Sequence, residues 1–99
     1  MVELDIIIRD QHVQVRASEI YDWDETTLVD PDSNEVKIYK PDSTLLATIT
    51  EGFEQVGTGD WRVFYALASD LTPGKYRATW KAVKGAYTTR EEAFFTVKS

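Results

Sequence analysis

The chain has no cysteine and a single histidine among its 99 residues. The first absence excludes a disulfide, a thiolate nucleophile and any zinc site that needs sulfur. One histidine, His12, leaves too little material for a zinc site of Cys and His or for a histidine-based triad. Basic residues are scarce in the first half. Residues 1–50 carry four basic and eleven acidic side chains, and residues 51–99 carry seven and six. The halves therefore hold −7 and +1, which sum to the net −6. Phosphate neutralisation needs clustered Lys and Arg, so nucleic acid is not an expected partner. No apolar run approaches the roughly 18 residues of a membrane-spanning helix, so membrane insertion is not expected either. The opening "MVELDIIIRD" lacks the basic leader and long apolar stretch of a secretory signal, and synthesis and first residence in the cytoplasm are expected.

What is present points to one small all-β domain over residues 1–99. Short apolar runs alternate with turn signals about every ten residues, the spacing of a sandwich or barrel. "VELDIII" reads as a first strand. In "HVQVRASEIY", Val13, Val15 and Ala17 share one face, and the alternation slips at Glu19–Ile20. "EVKIYK" places Val36 and Ile38 inward, and "PDST" is a turn. In "LLATITEGF" either Leu45, Ala47 and Ile49 or Leu46, Thr48 and Thr50 point in, and the apolar set is preferred. "WRVFYALA" allows two readings. As a strand it lines up Trp61, Val63, Tyr65 and Leu67. As a helix it lines up Trp61, Phe64, Tyr65, Ala68 and Leu71 with Asp60 as N-cap. Its aromatic and β-branched content favours the strand. Pro73-Gly74 is the pair a type II turn wants at its centre. "KYRATWKAV" then alternates cleanly, with Tyr76, Ala78, Trp80 and Ala82 inward, and Lys84-Gly85 marks a hairpin turn. "YTTREEAFFTV" closes the count at seven strands, with Phe95 and Val97 inward. Twelve aromatic residues, three of them Trp, supply the buried area that so short a chain needs.

"GKYRA", residues 74–78, resembles the Gly-x-Tyr-x-Cys that opens strand F of immunoglobulin-type sandwiches, with Ala78 in the cysteine position. The resemblance implies that Tyr76 forms a tyrosine corner, bonding back to the preceding loop. It also implies that Trp80 takes over packing that a disulfide supplies elsewhere. "DPDSNEVKIYKPDST", "GTGDWRVFY" and "PGKYRATW" together resemble a looser group, the cysteine-free immunoglobulin-like domains of bacteria and phages. The resemblance covers roughly residues 5–97. It implies a seven-stranded antiparallel immunoglobulin-like β-sandwich. In that group, stand-alone domains of this length are often virion proteins of tailed phages, on the capsid or at the neck, and fused copies occur in surface adhesins and secreted enzymes.

Seven of the seventeen acids fall between Glu19 and Glu35, with no Lys or Arg among them. Asp30-x-Asp32-x-Asn34 begins like an EF-hand loop. The sixth and twelfth positions are Glu35 and Pro41 where Gly and Glu are required, so that loop is excluded. A looser calcium site from Asp22, Asp24, Asp30 and Asp32 is the weak alternative to turn chemistry, which alone explains each Asp. Trp23 is either a partner-binding anchor or a cover for the open end of the sandwich, and the cover is preferred. Lys75, Arg77, Lys81 and Lys84 form a basic stripe. It is either an ordinary solvated face or a surface that meets the acidic loop of another copy. Neither a cofactor nor catalysis is expected: there is no nucleophile–base pair, and so small a sandwich has little room for a cleft between two carboxylates. His12 is expected on the surface.

The sequence thus supports a non-catalytic structural or assembly module, located in the virion, with other virion proteins or copies of itself as partners. The alternative is a carbohydrate- or cell-surface-binding module of a larger adhesin or secreted enzyme, acting extracellularly. A glycan contact of that kind needs an outward platform, for which Tyr39, Phe64 and Tyr87 are the candidates.

Overall fold

A computed structural model describes residues 3–9, 12–20, 27–68 and 70–98. Eight strands follow one another: β1 (Glu3–Arg9), β2 (His12–Ser18), β3 (Ser33–Tyr39), β4 (Leu45–Ile49), β5 (Glu54–Gly57), β6 (Asp60–Ala66), β7 (Gly74–Lys84) and β8 (Tyr87–Val97). They form two antiparallel four-stranded sheets, ordered β1-β2-β6-β5 and β4-β3-β7-β8. The chain changes sheet after β2, β4 and β6, and the outer strands β1 and β8 lie against each other. The two sheets make a β-sandwich. All-β architecture was legible in the sequence, but the strand count was one short. The missed strand is β5, a four-residue edge strand exposed throughout, which therefore has no apolar alternation to announce it.

The core is built from the inward faces that alternation identifies. Val13, Val15 and Ala17 of β2, Val36 and Ile38 of β3, Val63 of β6, and Tyr76, Ala78, Trp80 and Ala82 of β7 are all buried, with Phe95 of β8. Residues 60–66 are a strand, and Trp61, Tyr65 and Leu67 pack against this core beside Val63. Trp80 meets Phe53 edge to face at 5.2 Å, and Tyr76 stacks on Phe95 at 5.5 Å. Burying an indole removes on the order of 200 Å² from water, about 5 kcal/mol as an upper estimate. That matches in size the roughly 2–4 kcal/mol of a disulfide, although it does nothing to constrain the unfolded chain.

Three local expectations are corrected. In β4 the register with β3 shifts between Ile38 and Tyr39, so that Ile38 faces Ala47 while Tyr39 faces Leu45. Leu46 is the extra residue. The bulge turns Leu46 toward the core and leaves Leu45 51% exposed, while Ala47 and Ile49 keep the inward parity. Gly74 is the first residue of β7 with φ 149°, not the αL corner of a type II turn. Its missing side chain is needed because a Cβ there would lie 2.6 Å from Pro41 Cγ. The last hairpin turns at Gly85-Ala86, one residue later than expected, with Gly85 at φ 58° in the first central position as type II′ requires.

Candidate functional site

The acidic segment resolves into a clasp. Asp30, Asp32 and Asn34 alternate along the approach to β3, and each accepts a bond from a different part of the fold. Asp30 Oδ1 accepts from the Gly59 amide at 3.0 Å and from Trp61 Nε1 at 3.1 Å, which ties the segment to the β5–β6 turn. Asp32 Oδ2 accepts from the Gly85 amide at 2.8 Å, and its Oδ1 lies 3.5 Å from Lys84 Nζ, which ties it to the β7–β8 turn. Asn34 Oδ1 accepts from the buried Trp80 Nε1 at 3.0 Å. Backbone bonds complete the joint: Asp32 N donates to Val83 O, Ile20 N to Gly59 O, and Val29 N to Ile20 O. Ile20, buried just after β2 ends, plugs the same end of the core.

These contacts set the electrostatics. The Gly59 amide, with help from the Trp61 indole, holds the Asp30 carboxyl below its ordinary value despite partial desolvation. The Gly85 amide and then the Lys84 charge do the same for Asp32. In the β3–β4 turn, Asp42 accepts from the Thr44 hydroxyl and amide and is lowered for that reason. Of the four calcium candidates, Asp30 and Asp32 are thus occupied by donors of the fold itself, while Asp22, Asp24 and the neighbouring Trp23 lie outside the described residues. No group of three or more His, Cys, Asp or Glu side chains placed to hold a metal occurs among the described residues.

The basic stripe divides. Lys75, Arg77 and Lys81 share the outer face of β7. Lys84 sits at the far end of the same strand in the clasp, about 30 Å from Lys75 at the rise of a strand. Lys81 is flanked in register by Glu35 and Arg90. Arg77 lies over the Tyr39 ring at 4.4 Å and 3.8 Å from Glu92. Lys75 Nζ lies 4.4 Å above the Phe94 ring, with no carboxylate within ion-pairing distance among the described residues. Lys40 and Pro41 of the β3–β4 turn complete this patch, a shallow depression of about 270 Å³. A larger depression, about 470 Å³, lies beside it, lined by alternating charges that include Glu35, Lys37, Arg90 and Glu92. The sequence did not single out Phe94. Its signal was parity, because an inward Phe95 forces Phe94 outward, where it is 51% exposed.

Tyr39, Phe64 and Tyr87 do not form one platform. Tyr39 is on the outer face of the β4-β3-β7-β8 sheet under Arg77. Phe64 is on the opposite sheet, opposite Gln14 and beneath Arg62. Tyr87 is at the tip of the last hairpin, opposite Lys84. His12 is an exposed residue at the start of β2. On the same outer face, Arg16 makes a two-pronged bond to Asp60 at 2.9 and 2.6 Å, which raises the guanidinium pKa. Comparison with protein-family models gives no match, and comparison with curated protein sequences gives none either.

Proposed function

We propose that the chain is a non-catalytic structural module that acts by contacting other proteins. In this reading it has immunoglobulin-like topology and belongs to a tailed-phage particle, on the capsid or at the neck. The sheet orders support the topology: β1-β2-β6-β5 corresponds to A-B-E-D and β4-β3-β7-β8 to C′-C-F-G. The Tyr76 hydroxyl donating to Thr72 O at 2.7 Å supports it further, since that is the tyrosine-corner bond. The phage assignment rests on the resemblance carried by residues 5–97.

One observation carries the assembly reading. The polar groups of Asp30, Asp32, Trp61 and Trp80 are engaged within the fold: Trp61 donates to Asp30, Trp80 donates to Asn34, and Asp30 and Asp32 accept from turn amides. What the surface offers a partner is segregated charge with a few ring-supported cations. Peptide mass spectrometry of purified particles, produced from the genome that encodes the chain, tests the reading. Recovery in multiple copies per particle is expected. Absence from particles, with the chain found at the cell surface, would reject it in favour of a cell-surface module.

A further inference from the structure

Eleven-residue strands span about 35 Å, so the 42 Å long axis of the molecule follows the strands. Its two ends differ in charge. At the clasp end, Glu19, Asp32 and Glu51 are exposed, and the one described base of the clasp, Lys84, is paired with Asp32. At the opposite end lies the patch of Lys40, Lys75 and Arg77 around Tyr39 and Phe94. The rings do not stand as a bare platform: a cation lies over each, at 4.4 Å in both pairs. They hold long side chains in place instead, which lowers the entropy lost when an anion binds.

We propose that this patch docks the acidic clasp end of a second copy of the chain. The contact deepens the assembly reading above and rests on it. Because the two complementary surfaces sit at opposite ends of one body, the contact is head-to-tail. It propagates into a ring or a filament rather than stopping at a two-fold dimer. The charges set orientation and encounter rate, and the contact weakens with salt.

Sedimentation equilibrium of two exposed double variants tests it, with circular dichroism melts confirming the fold. K40E/K75E reverses the patch. E19K/E51K reverses part of the acidic end and leaves the clasp residues intact. Wild type is expected to exceed 11.3 kDa increasingly with concentration. Each variant alone is expected to associate at least about tenfold more weakly. An equimolar mixture is expected to recover association, since each variant supplies the surface the other lacks. A wild type that stays monomeric at about 1 mM, where even a contact of about 4 kcal/mol would show, overturns the proposal. So does a silent E19K/E51K, which would point to patch-on-patch pairing, or a mixture that does not recover. A monomer that is nevertheless abundant in particles would remove only this contact, whereas an oligomer absent from particles would remove only the virion reading.

Discussion

Asp30 answers at the level of one side chain what the acidic segment is for. Its Oδ1 serves both a turn amide and an indole. Asp30→Ala is expected to cost about 1–2 kcal/mol after allowance for partial exposure. In a domain of this size that is a fall of roughly 5–15 °C in Tm by calorimetry. Asp30→Asn keeps an acceptor and loses the charge, so its fall is expected to be less than half as large. Equal losses would show that a neutral acceptor does not hold the joint and that the carboxylate's charge carries it. Gly74 gives a second residue-level test. Gly74→Ala drives a Cβ to 2.6 Å from Pro41 Cγ, and overpacking of that kind costs about 1–3 kcal/mol. Adding Pro41→Ala is expected to restore part of the loss in a double-mutant cycle, and additivity of the two would remove Pro41 as the cause.

Elements were legible in the sequence where alternation is strict. β2 and β7 read correctly because a buried side chain recurs at every second position, as in Tyr76, Ala78, Trp80 and Ala82. β4 was half legible: a bulge at Leu46 changes the parity of Leu45, and nothing in "LLATI" marks it. β5 was illegible because an exposed edge strand buries nothing. The clasp was visible only as an excess of charge, since its partners Gly59, Trp61, Trp80 and Gly85 are brought to it by the sheets from 29 to 53 residues away. Its chemistry implies acid sensitivity. Asp30, Asp32 and Asp42 are all held below the ordinary 3.8. As pH falls, the unfolded chain therefore takes up protons first. Their contribution is complete above pH about 5 and is lost as pH drops through the folded values. Tm is expected to fall steeply below pH about 4, and D30N/D32N is expected to flatten that slope. An unchanged slope in the variant would assign acid unfolding to other groups. Millimolar calcium is expected to leave Tm within a degree or so, because two of the four candidate carboxylates already hold donors. A rise that saturates with calcium would mean the segment binds the ion after all.

For the whole molecule the distribution of charge matters more than its sum. A net −6 would by itself keep copies apart. With Glu19 and Glu51 exposed at the clasp end and Lys40, Lys75 and Arg77 around the other, where Asp42 is the acid of the same turn, copies can meet in a favourable orientation in spite of that net repulsion. The −7 and +1 of the two halves of the chain do not map onto the two ends, because antiparallel strands carry Lys40 of the first half into the basic patch and Glu51 of the second half to the clasp end. The most direct test is the mass of the wild-type protein by light scattering, over a range of concentration at low and high salt. The account predicts a mass that climbs above 11.3 kDa with concentration at low salt and returns to it when salt screens the ends. A mass of 11.3 kDa at every concentration and salt, or an oligomer indifferent to salt, would contradict it.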